Sequence, residues 1–70
     1  MTAQQLYYGN RKLAQVVQDA HWPGMWRVKL PRGELSDLVN LTRAKDAAQL
    51  LARQQNPRCR VPQLWNWRHA

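Results

Sequence analysis

The alternation of apolar and polar positions is clearest in the middle of the chain. Across GMWRVKLPRGELSDLVNLTRAKDAAQLLAR, residues 24–53, Trp26, Val28 and Leu30 alternate with Arg27 and Lys29. That two-residue period belongs to a half-buried strand. Pro31-Arg32-Gly33 follows as a tight reversal, because proline presets φ and glycine accepts the left-handed conformation that a bulged hairpin loop needs. A second extended run, Leu35–Leu41, completes the predicted hairpin. Thr42 is placed to cap a helix, its hydroxyl accepting a backbone N–H of the first turn. The period then changes. From Arg43 to Gln54, Ala44, Ala47, Ala48 and Leu51 share a helical face, Leu50 widens it, and Asp46, Gln49 and Arg53 point away. Asn56-Pro57 ends the helix.

The flanking segments are less periodic. Gly9-Asn10 is a turn signal that can join Gln5–Tyr8 to the next segment as a hairpin. Arg11–Ala20 admits two readings. Leu13, Val16, Val17 and Ala20 have helical spacing with Asn10 as a cap, whereas the Val16-Val17 pair and the Trp22-Pro23-Gly24 turn favour a strand over Leu13–Asp19. The strand reading gives a three-stranded meander plus helix; the other gives a helix, a hairpin and a helix. The end of the chain, RCRVPQLWNWRHA, holds three arginines, two tryptophans and no acidic residue. The expected fold is therefore α+β: a small three-stranded antiparallel sheet packed against one C-terminal helix within residues 1–57, followed by a basic aromatic tail over 58–70.

Charge changes the picture more than size does. Eleven Lys and Arg against four Asp and Glu leave a net charge of +7 on 70 residues, an excess that favours polyanions. A chain this short builds only a small core. Its single cysteine, Cys59, has no internal disulfide partner, which suits a reducing compartment. The start of the sequence, MTAQQLYYGNRK, lacks the apolar run of a signal peptide or membrane span. The expected setting is cytoplasmic, without a membrane partner.

The candidate chemistry is that of binding. His21, His69 and Cys59 lack the paired spacing of a zinc site, and no cofactor is expected. Asp19, Glu34, Asp37 and Asp46 are scattered, without a His or Cys partner for acid–base work. An enzyme is not expected. Arg27 and Lys29 share the outward side of their strand and are candidate phosphate or base contacts. Arg32 at the hairpin tip joins them, as do Arg43 and Lys45 beside the positive end of the helix. Trp26 reads as core. Trp22, before Pro23-Gly24, reads as packing over its turn or stacking on a base. Trp65 and Trp67 fall on one side of an extended segment. They either fold back over the open sheet face as a lid or, with Arg68, form a stacking or partner-binding patch.

Trp26-Arg27-Val28, Gly33, Ser36, Thr42, Lys45, Asp46-Ala47 and Leu51-Ala52 resemble the small N-terminal arm-type DNA-binding domain of phage tyrosine recombinases. The resemblance covers about 30 residues. It implies a three-stranded antiparallel sheet on a helix, as in plant AP2-type domains, with the sheet lying in the DNA major groove. Asn40 stands where that family carries an aromatic residue, which implies a bulge or altered register near Val39 and Leu41. The stretch Leu35–Ala48 is also similar to small uncharacterised proteins of bacteria and their phages. The function expected is non-enzymatic binding of duplex DNA, with RNA as the other polyanion, by an accessory or regulatory factor of mobile-element origin. The alternative is a protein-interaction module, an inhibitor or homodimer, anchored by Trp22, Trp65 and Trp67.

Overall fold

The computed structural model describes residues 3–31 and 36–69. Strands β1 (Ala3–Tyr8), β2 (Arg11–Gln18) and β3 (Trp26–Lys29) are followed by helix α1 (Leu41–Gln55), a single 3-10 turn at Pro62–Leu64 and strand β4 (Trp65–His69). The strands form one antiparallel sheet in the order β3-β2-β1-β4. The fold is α+β, as expected, with four strands where the sequence pattern predicts three.

The Gly9-Asn10 turn does close a hairpin. Tyr8 pairs with Arg11, so the loop holds two residues, and Gly9 takes φ 61° at its first position. That is the pattern of a type II′ turn, whose twist matches the strands it joins. The strand reading of the next segment holds, since Arg11–Gln18 is β2. The register slips by one between Leu6/Tyr7, where Leu6 pairs with Ala14 but Tyr7 with Lys12. Leu13 is the extra residue of this bulge. A bulge breaks strict alternation, and so the adjacent Leu13 and Ala14 are both buried.

The expected second hairpin strand shrinks to one bridge, between Trp26 and Val39. Ser36 explains why. Its hydroxyl accepts the Val28 N–H at 2.8 Å while its own N–H donates to the Val28 carbonyl at 3.0 Å. A side-chain oxygen thus replaces a ladder carbonyl. Residues 36–39 cover the β3 edge without forming a regular strand. The reversal at 32–33 and the start of the run at Leu35 lie outside the described residues.

The helix begins two residues before its predicted start. Asn40, not Thr42, is the N-cap, and its Oδ1 accepts the Arg43 N–H at 2.9 Å. Asparagine ranks above threonine as a cap, and the departure of Asn40 from the arm-type pattern coincides with this role. Ala44, Ala48 and Ala52 are fully buried against Leu6, Val16, Trp26 and Val28. Their four-residue spacing draws one stripe down the helix, and their small size lets it sit close on the sheet. Leu50 does not widen that face. At 100° per residue it points away from Ala48, and it is 58% exposed.

The sequence leaves the tail either folded back over the open sheet face or presented as a patch. It does fold back onto the body, but as an edge strand and toward the helix side. β4 pairs along the whole of β1 from Gln4↔His69 to Tyr8↔Trp65. Trp65 and Trp67 stand beside Tyr8 and Leu6, on the side of the sheet that carries the helix, and pack on the core. Tyr8 meets the Trp65 ring edge-on at 5.2 Å between centroids, and its hydroxyl accepts the Val61 N–H at 3.0 Å. From the helix, the Lys45 ammonium lies 4.9 Å from the Trp67 centroid and the Arg53 guanidinium 5.6 Å from that of Trp65. These distances are within cation–π range. The opposite face of the sheet is not covered by the tail. No helix is long and apolar enough to cross a membrane among the described residues.

Candidate nucleic-acid interface

Alternation along each strand assigns the residues of this second face. With Leu6, Val16 and Val28 toward the helix, β1 presents Ala3, Gln5 and Tyr7, and β2 presents Lys12, Gln15 and Val17. Arg27 and Lys29 belong to β3, and Asn66 and Arg68 to β4. The register aligns them in transverse rows. Lys29 is opposite Gln15, Gln15 opposite Gln5, and Gln5 opposite Arg68. A neighbouring row runs from Lys12 through Tyr7 to Asn66. The four strands together carry Arg11, Lys12, Arg27, Lys29 and Arg68, and no acidic residue.

The cations differ in what they have left to offer. Arg27 is half-buried and already engaged: one terminal nitrogen donates to the Ser36 carbonyl at 3.0 Å, and Nε lies 3.5 Å from Asp19 Oδ1. It ties β3 to residues 36–39 and to the β2–β3 loop, and Asp19 compensates much of its charge. Lys29 and Lys12 line a depression of about 280 Å³ with Ala14, Gln15, Leu30 and Pro31. Lys29 and Lys12 are exposed. The Arg68 guanidinium lies 4.0 Å from the Tyr7 ring centroid and donates to the Gly9 carbonyl at 3.0 Å and Asn66 Oδ1 at 3.1 Å. These contacts pre-order an exposed side chain while leaving N–H donors free, as the guanidinium carries five.

Asp19 organises the neighbouring loop. Its Oδ2 accepts the backbone N–H groups of His21 and Trp22, both at 2.9 Å. Desolvation pushes its carboxyl upward. The two backbone hydrogen bonds and the Arg27 guanidinium outweigh that and hold it below the usual carboxylate value. The loop leaves Trp22 63% exposed, so Trp22 does not pack over its turn.

The sequence-derived candidates therefore divide. Arg27 and Lys29 share the uncovered face, and Arg68 joins them across the sheet. Arg43 and Lys45 belong to the helix on the other side, where Lys45 is occupied by Trp67. Trp65 and Trp67 are packed rather than presented for stacking, because pairing with β1 turns them toward the helix. Arg32 lies outside the described residues. Sequence reasoning missed Gln5, Tyr7, Lys12 and Gln15. The signal was present: Leu6 and Tyr8 alternate with Gln5 and Tyr7 ahead of a Gly-Asn turn. Among the described residues no three His, Cys, Asp or Glu side chains cluster as metal ligands would. No family model matches the chain, and no curated protein or solved structure matches it.

Proposed function

We propose that this chain is a non-enzymatic DNA-binding protein that docks duplex DNA on its uncovered sheet face. One observation carries the reading: among the described residues a helix covers the sheet on one side only, and the strands present Lys12, Arg27, Lys29 and Arg68 and no acid on the other. Phosphate contacts from Lys12, Lys29 and Arg68 supply the affinity, through release of condensed counterions. The net charge of +7 adds long-range attraction. The resemblance to arm-type recombinase domains supports the same geometry, a sheet facing the major groove with its helix turned away. On this reading the protein is an accessory or regulatory factor. The protein-interaction alternative keeps Trp22, 63% exposed, as its anchor, since Trp65 and Trp67 are engaged by Tyr8, Lys45 and Arg53.

The test is a salt titration of binding to a short labelled duplex. Three phosphate contacts give a slope of log K against log salt of about −2.7, hence roughly a 40-fold loss between 50 and 200 mM. Reversing Lys29 and Arg68 together to Glu should bring the slope to about −0.9. The matched reversal of Arg58 and Arg60, exposed residues beyond the helix, should leave most of it. Equal loss in both double variants, or none in the first, would show that the sheet is not the binding face.

A further inference from the structure

We infer that Gln5 and Gln15 read base edges, so that the protein prefers particular sequences rather than any duplex; this rests on the duplex-binding reading above. The register is the basis. Gln5 and Gln15 are direct cross-strand partners on the two central strands, with Lys29 beyond Gln15 on β3 and Arg68 beyond Gln5 on β4. By backbone register one row thus crosses the sheet as cation, carboxamide, carboxamide, cation, with the Arg68 guanidinium leaning from its end over the Tyr7 ring toward the Gly9 carbonyl. With strands spaced about 4.8 Å apart, its ends are about 14 Å apart. The major groove is about 12 Å wide and admits a two-stranded ribbon. When β1 and β2 face the groove, β3 and β4 lie over its two phosphate walls. The row then places its neutral amides where base edges are and Lys29 by one phosphate wall, while the Arg68 guanidinium meets a phosphate nearer the Gly9 turn.

The chemistry of the central pair is selective. A carboxamide offers one acceptor and two donors, and glutamine matches the N6 donor and N7 acceptor of adenine in a bidentate pair. Directly opposed residues have Cβ atoms about 5 Å apart, so the two amides reach the same or adjacent base pairs. Both glutamines are half-exposed. The Tyr7 hydroxyl lies 3.4 Å from Gln5 Oε1, a long contact that steadies the Gln5 side chain along the strand. Lys29 and Arg68 set affinity in this arrangement, while Gln5 and Gln15 set discrimination.

The experiment selects bound duplexes from a pool with a randomised centre, then measures affinities for the recovered and scrambled sequences at fixed salt. The parent should favour sites with A·T pairs at the centre, by about tenfold or more per good glutamine–adenine pair. Gln5→Thr and Gln15→Thr keep β-strand propensity and can meet either base, so they should flatten the preference without changing the salt slope. Gln15→Glu should shift selection toward cytosine, whose N4 group a carboxylate accepts. Lys29→Ala should lower affinity for all sequences alike and reduce the slope by about one. Duplex binding without sequence preference, or a preference unchanged in the glutamine variants, overturns this inference and leaves the binding reading standing. Failure of the parent to bind any duplex overturns both.

Discussion

Substituting Ala48 with Leu tests how the helix is seated on the sheet. Ala48 is fully buried in the central turn of α1, and Leu6, Val16 and Val28 are the largest fully buried side chains of the same core. Leucine adds three carbons. If the seam held room for them, burial at about 0.8 kcal/mol per methylene would stabilise the protein by roughly 2 kcal/mol. If the alanine stripe sets the helix–sheet distance, the extra volume forces backbone shifts and costs about 1–3 kcal/mol. The sign therefore decides between the two. Helix propensity does not obscure it, because leucine follows alanine closely. A domain of this size has a total stability of about 4–10 kcal/mol, so the loss is a large fraction of it. Thermal unfolding followed by circular dichroism should show a midpoint lowered by roughly 4–8 °C per kcal/mol. Leu50→Ala, on the exposed side of the same helix, should shift stability by less than about 0.5 kcal/mol. An Ala48→Leu protein that melts at or above the parent temperature would refute the close-packed seam.

Trp67→Ala should cost about 2–4 kcal/mol in urea denaturation, near the lower part of the range for large aromatic truncations because the ring is only half-buried; unchanged stability would show that β4 does not hold the core. Acidification should loosen the β2–β3 loop. The Asp19 carboxyl is held below its ordinary value, so its contribution is complete above the unfolded value of about 3.9 and is lost as pH falls through the lower native one. Amide resonances of His21 and Trp22 should report that loss below about pH 4, and Asp19→Asn, which still offers an oxygen acceptor, should remove the dependence. Amide shifts that titrate equally in the Asn variant would assign the effect elsewhere.

Local pattern alone determined several parts of this protein. The alternation of Trp26, Arg27, Val28 and Lys29 dictated a half-buried strand. The helical spacing of Ala44, Ala47, Ala48 and Leu51 dictated a helix, although its buried stripe is narrower than that spacing with Leu50 implies, and Gly9-Asn10 marked a hairpin turn. Each depends on residues close in the chain, where backbone geometry maps spacing directly to a face. The excess of positive charge was equally plain, since composition does not depend on folding. Other features were decided by contacts between distant segments. RCRVPQLWNWRHA has no strand signature until β1 offers an unpaired edge, and that pairing turns Trp65 and Trp67 inward. Leu35–Leu41 reads as a strand in isolation, yet a hydroxyl at Ser36 takes over part of its ladder. Asn40 and Thr42 both suit a cap, and only the path from the Val39 bridge into the helix selects Asn40. The candidate site shows the same division. Arg27 and Lys29 could be placed on one face from their spacing, but the row from Lys29 through Gln15 and Gln5 to Arg68 spans four strands. Which residues stand side by side across a sheet is set by register, and register is a tertiary property fixed by the bulge at Leu13, the Gly9 turn and burial of one face.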